Sequence, residues 1–326
     1  MPRRPPSAAG QDPAALTRRA FAGAALGFVC THDVLAMAAD AEKAVNQTVS
    51  EHARPTTHPD SVRKLKRWTP RLDAPLDLAR PLDNHHAFAK VQANLAGTDS
   101  WLAQYGWVLM CPPGKAAYPI LGRVLLVKVF ATPTAPDWAP DVDEHSYTMW
   151  GTFTTAYVDP RTFAPVSKIF NPYIGKTIDV PTLHYADRLV YRLGRSIIVP
   201  GVAPAFYDQP WDRDGGYSQH HVVAGEEVSY TVLGAAQHDG PHQPRLDVGF
   251  WTVKRAELVD PARLSIETRR DYSAIMKASE YAWYGVGQGD PAQLKVHLTG
   301  LKTQDVTRIP ELVRKVVLDR FPERFA

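Results

Sequence analysis

From about Asp83 onward the pattern of apolar runs and polar turns takes on the texture of an antiparallel sheet. Trp101 to Met110 and Tyr118 to Phe130 flank a Pro-Pro-Gly-Lys turn and predict a hairpin, with Pro119 fraying its second strand. Ser146 to Val158 is dense in Tyr, Trp, Thr and Phe. Asp159-Pro160-Arg161-Thr162 turns it, Phe163 to Phe170 returns, and Asn171-Pro172-Tyr173-Ile174-Gly175 turns again before Lys176 to Val180. That pattern predicts a three-stranded meander with suitable turn chemistry at both bends.

Leu189 to Val199, His220 to Ala235, Leu246 to Val259, Leu264 to Ile275 and Leu294 to Leu301 continue the strand pattern. Pro204 to Gly216 reads as a loop rich in Pro, Asp and Gly. Two segments carry helical spacing instead. Asn84 to Leu95 has Ala87, Phe88, Val91 and Leu95 on one stripe, with Gly97 as a stop. Ile309 to Phe321 begins near Pro310 and ends at Pro322. A further short helix is expected from Ala41 to His52. Many strands joined by short turns, with few helices, predict a mainly β fold: a large antiparallel, barrel-like (calycin-like) domain with flanking helices. A β-sandwich is the alternative.

The N-terminus has a different texture. Thr17-Arg18-Arg19-Ala20-Phe21 precedes an apolar run ending at Val29, and Ala36-Met37-Ala38 or Ala39-Asp40-Ala41 supplies a small-x-small cleavage pattern. The run is shorter than the roughly 20 residues of a membrane span. Residues 1–38 therefore read as a twin-arginine signal peptide, 39–82 as an arm or linker, and 83–326 as a single β-rich domain. The expected location is periplasmic or secreted, with the export machinery as a partner and no membrane association after cleavage.

Composition changes little once the leader is set aside. Its removal takes Arg3, Arg4, Arg18 and Arg19 against Asp12 and Asp33, so the formal charge falls from +3 to +1. A near-neutral remainder argues against nucleic acid as a partner. The basic cluster Arg63-Lys64-Leu65-Lys66-Arg67 reads as a solvated face. Cys30 falls in the leader, leaving Cys111 without an intramolecular disulfide partner and best read as a small buried hydrophobe. There is no Gly-x-Gly-x-x-Gly after a strand and no Gly-x-Ser-x-Gly, so a Rossmann dehydrogenase or α/β-hydrolase is not expected.

The Tyr157-Val158-Asp159-Pro160-Arg161-Thr162 turn followed by Asn171-Pro172-Tyr173-Ile174-Gly175-Lys176 resembles the core of the DUF1838 family. The resemblance extends from about Asp83 to Arg324-Phe325. Ile174 replaces the usual Thr, and Phe163-Ala164 stands where Gly is common. It implies a single exported domain and transfers no activity.

Candidate chemistry falls on loops and strand ends. His184, with Tyr185 and Asp187 close by, is a candidate general base oriented by a carboxylate. Glu280, set among Tyr281, Trp283 and Tyr284, is a candidate proton donor, because aromatic burial raises a carboxyl pKa. Trp150, Tyr157, Tyr185, Trp251, Tyr272 and Trp283 are candidate ligand-binding aromatics if the domain is hollow. His85-His86 is expected to cap a helix or face solvent. His220 and His221 should point to opposite faces of a strand. His238-Asp239-Gly240-Pro241-His242 reads as a polar hairpin loop, since Gly-Pro forbids the helix that would align both imidazoles, and no metal or cofactor is expected. Asp159 and Asn171 read as turn formers. Together these residues imply a hydrophobic or aromatic small molecule held in a β-barrel cavity. Either a cofactor-independent hydrolase, lyase or isomerase acts on it, or a non-catalytic carrier binds it.

Overall fold

Alternation along the strands sets up two faces, one lining the main core and the other covered over only part of the sheet. The computed structural model describes residues 65–134, 143–193, 195–198, 216–236 and 245–326, with only the backbone at 185–188, 195–198, 216–218, 234–236 and 245. The leader, the expected Ala41–His52 helix, the Pro204–Gly216 loop but for Gly216, and His238–His242 lie outside the described residues. The strands are β1 (Ser100–Cys111), β2 (Tyr118–Pro133), β3 (Tyr147–Val158), β4 (Lys168–Asn171), β5 (Lys176–Asp179) and β6 (Leu183–Arg192). They continue as β7 (Arg195–Ile198), β8 (Gly216–Ala224), β9 (Glu227–Ala236), β10 (Arg245–Lys254), β11 (Thr268–Lys277) and β12 (Gln293–Thr303). The fold is mainly β and antiparallel, as expected. Pairing runs β1-β12-β11-β10-β9-β8-β7-β6-β3-β2, and β2 pairs back to β1.

One face of this ring of pairings carries Leu102, Val108, Leu125, Val127, Tyr147, Met149, Tyr157, Tyr230 and Trp251, all in the main core. The opposite face of β1–β3 carries Ala103, Val124, Leu126, Ala156 and Val158. These pack beneath the C-terminal residues Ile309, Val313, Val316, Val317 and Phe325. The C-terminal helix α3 (Glu311–Val313) continues as a π-helical turn, Arg314–Leu318, shorter than the sequence pattern predicts. A short helix α2 (Arg255–Val259) follows β10, where the sequence pattern predicts continued strand. Among the described residues no helix is long and apolar enough to cross a membrane.

Helix α1 (Pro81–Gln92) starts earlier than its apolar stripe, because Pro81 sits at the first helical positions and Asp83 in the first turn. Every residue from His85 to Gln92 is buried, so the helix is enclosed on all sides. Phe88 reaches Tyr191, Tyr230 and Trp251 at ring-centroid distances of 6.0, 5.2 and 5.9 Å.

The expectation for His85-His86 is corrected here: both are buried. His85 Nε2 donates to the His145 carbonyl at 3.0 Å, and Trp68 stacks on Tyr147 beside it at 4.4 Å. Burial pushes the His85 imidazole down to about 4. The basic cluster is also more than a solvated face. Arg67 pairs with Asp99 at 3.0 Å and lies 3.6 Å from the Phe130 ring centroid.

Two buried ammonium groups fasten α1. Lys302 Nζ, on the inner register of β12, donates to Lys90 O (2.9 Å), Ser265 Oγ (2.6 Å) and Ile266 O (3.0 Å). Lys90 Nζ donates to Leu258 O and Asp260 O at the end of α2, at 2.9 and 2.7 Å. Helix-end carbonyls lack intrahelical donors, and the lysines supply them. Burial lowers Lys302 to about 7 and Lys90 to about 8.

The expected three-stranded meander divides. Asp159 Oδ1 accepts from Arg161 N and Thr162 N, and Phe163 takes a positive φ of 58°, so the chain leaves the ladder after one bridge, Val158 to Pro165. β4 and β5 then form a separate two-stranded sheet. Asn171 does more than turn the chain. Its Nδ2 donates to Tyr284 O at 3.0 Å while Tyr173 N donates to its Oδ1, and Tyr173 OH donates to Asp290 at 2.8 Å.

Unfolding should report these buried bases. An unfolded histidine takes up its proton near pH 6.5 and folded His85 only near 4, so the unfolded state binds more protons between those values and stability falls as pH drops. The loss is on the order of 3 kcal/mol for His85. Lys302 gives a second window with the same sign, from 10.5 down to about 7. Urea unfolding across pH 4–10 should show stability rising through both windows, and His85→Gln should make the acidic one shallower, with His86 and His184, lowered in the same direction, supplying the remainder.

Candidate functional site

On β10 the run Asp247-x-Gly249-x-Trp251 places three residues on one face, and on β11 Arg270-x-Tyr272 does the same. Register brings the two sets together: Asp247 pairs with Ala274, Gly249 with Tyr272, and Trp251 with Arg270. Around them is a cavity of about 90 Å³, also lined by Gln92 of α1 and Tyr191 of β6. Leu189 and Val232 complete its apolar wall.

The cavity holds a polar constellation. Asp247 is only 3% exposed, and Tyr272 OH donates to its Oδ1 at 2.5 Å. The Arg270 guanidinium lies 4.8 Å from the Trp251 ring centroid and 5.6 Å from that of Tyr272. A phenol–carboxylate hydrogen bond is charge-assisted and strong in a buried setting. The carboxylate and the phenol are within direct proton-transfer distance of one another, and the guanidinium lies against the same tyrosine ring.

Two of the sequence-predicted residues, Trp251 and Tyr272, line this cavity. Tyr157 and Trp283 meet elsewhere, 4.9 Å apart, and Trp283 stacks on Tyr284 at 3.9 Å beside the segment that Asn171 anchors. Trp150 corrects the expectation of a cavity position: it lies on the outer register of β3, opposite Phe130, and is buried against Phe130 and Leu65.

His184 is corrected likewise. It sits on β6 opposite Thr154, sharing a 3.1 Å hydrogen bond with Thr154 Oγ1, and its ring packs edge-on against Phe321 of the C-terminal segment at 4.7 Å. Burial, with the Arg324 charge adding to it, holds His184 down at about 4. Asp187 and Tyr185 occupy register positions opposite Gly151 and Phe153, on the other face of the strand from His184. The side chains of Asp187 and Tyr185 lie outside the described residues. Glu280 is half-buried in the 3₁₀ turn Ala278–Glu280 after β11. That connection is five strands around the ring from β6, so His184 and Glu280 belong to separate places.

His220 and His221 face opposite ways, with the His221 ring 5.8 Å from Tyr230. Cys111 is half-buried, and burial pushes its thiol up. Among the described residues no group of His, Cys, Asp and Glu is placed to hold a metal ion.

Sequence reasoning missed Asp247, Arg270 and Gln92. The spacing of Asp247 and Arg270 within their own strands is readable by alternation, but their meeting depends on the β10–β11 register. Fold and site together define a mainly β, antiparallel protein with a small lined interior. No family model matches the chain, and neither does any curated protein or solved structure.

Tyr272→Phe should leave the buried Asp247 carboxylate short of one donor. The expected cost is about 1–3 kcal/mol of stability, read from urea unfolding at pH 7.

Proposed function

We propose that this chain binds a small hydrophobic or aromatic molecule inside a calycin-like β-barrel and uses Asp247 and Tyr272 as an acid–base pair. The observation that carries the reading is the meeting of carboxylate, phenol, guanidinium and indole around one cavity. The return pairing of β2 to β1 favours a barrel over a sandwich.

Drug-sized ligands occupy roughly 300–1,000 Å³. The cavity, at about 90 Å³, suits a small head group or narrow ring edge instead. Trp251 offers a face for stacking and Arg270 a partner for an anionic edge. A proton passed between substrate and the Asp247–Tyr272 pair would support a hydrolase, lyase or isomerase reaction without a redox cofactor. A non-catalytic carrier is the second reading. It is favoured by the outward position of His184, which removes the strongest sequence-level candidate for a base from the interior.

Membership of the DUF1838 family and export by the twin-arginine route belong to the same proposal. They rest on the two turn motifs and on Thr17-Arg18-Arg19-Ala20-Phe21.

Benzoate, a flat ring with an anionic edge, is the probe. Calorimetric titration should show saturable one-site binding, weakened at least tenfold by Arg270→Met; absence of saturable binding would sink the reading. For export, residues 1–38 fused to a folded reporter should deliver it to the periplasm. Replacing Arg18 and Arg19 together by Lys should block delivery, and unimpaired delivery would refute the assignment.

A further inference from the structure

The Trp251 indole lies folded back along its own strand. A Cβ built on Gly249 would sit 2.7 Å from Trp251 Cη2, 2.9 Å from Cζ3 and 3.6 Å from Arg270 Nη2. The benzo edge of the indole therefore occupies the space that any side chain at 249 would need. The guanidinium borders the same spot, and all three residues line the cavity. The indole also meets Phe88 of α1 edge-on at 5.9 Å.

We infer that Gly249 is the specificity-determining residue of this cavity, keeping open a thin slot beside Trp251 and Arg270 that admits a flat, unsaturated carboxylate and excludes a puckered one. The inference rests on reading the cavity as a binding site. Real Cβ atoms do not approach neighbours as closely as 2.7 Å, so a methyl group at 249 displaces the indole. Gly249 and Trp251 both line the cavity, so the added methyl group and the indole it displaces compete for that space.

A second site provides an internal control. Gly151 stands two residues before Phe153 on β3, and a Cβ there would run into Phe153 Cε2 and lie 2.9 Å from its Cζ. The device is the same, but neither residue lines the cavity. Strain at Gly151 should therefore lower stability and leave ligand selection alone.

The test compares benzoate with cyclohexanecarboxylate, equal in charge and differing in thickness, and adds xenon-pressurised crystals as a measure of open volume. Wild-type protein should bind benzoate at least tenfold more tightly than cyclohexanecarboxylate and show xenon in the cavity. Gly249→Ala should lose the xenon site and at least tenfold in benzoate affinity. Gly151→Ala should lower the Tm with both retained. Trp251→Phe, which lacks the crowding Cη2 and Cζ3 atoms, should widen the slot and bring the two affinities within threefold. It should also restore xenon when combined with Gly249→Ala, which keeps the inference testable if the single alanine variant fails to fold.

Unchanged benzoate affinity or persistent xenon in Gly249→Ala would overturn the inference, as would a wild-type cavity closed to xenon. Xenon in the wild type without benzoate binding would defeat the proposed function and leave the role of Gly249 to be decided by xenon alone.

Discussion

The first strand of the sheet pairs with the last, and everything inside depends on that seam. β1 and β12 match residue for residue from Trp101 opposite Thr303 to Cys111 opposite Gln293. The two backbones come so close that side chains are excluded at two points. A Cβ on Gly106 would run into the carbonyl oxygen of His297, and one on Gly300 into that of Ala103. Without this contact two strands would present unpaired edges, and the face that carries Tyr157, Tyr230 and Trp251 would be open to water. The seam joins parts of the chain far apart in sequence, so it forms only after long loops have closed.

Enclosure then changes the character of polar groups. Asp247, Tyr272 and Arg270 gather in the interior, where a carboxylate–phenol contact is stronger than at a surface and an unmet one costs more. The same enclosure drives His85 and Lys302 toward their neutral forms. One physical cause, removal from water, thus produces both the candidate chemistry and the titration behaviour of the scaffold.

Strands, turns and the first helix were legible because alternation, Pro and Gly positions and the apolar stripe of α1 are local signals. The inner and outer assignment was legible in part. Trp150 and Tyr157, or His184 and Asp187, are separated by odd numbers of residues and so cannot share a strand face. That separation was masked because the C-terminal segment buries the outer face of β1–β3 with Ile309, Val316 and Phe325, leaving β3 apolar on both sides. Hence Trp150 looked like a cavity wall. The burial of His85-His86 was hidden for a related reason, since an enclosed helix needs no polar face. The meeting of Asp247 with Tyr272 lay beyond local pattern altogether, being a matter of how β10 registers on β11.

The lysine clamps carry a consequence for chemical labelling. An amine that is buried and hydrogen-bonded to carbonyls cannot be acylated from solution, so Lys90 and Lys302 stay silent toward amine reagents while α1 is seated. When that end of the molecule opens, both become ordinary surface amines. Their rate of modification then counts opening events directly, and when reseating outpaces the reagent it gives the free energy of local opening rather than of global unfolding. The two amines are thus built-in reporters of how firmly α1 is seated.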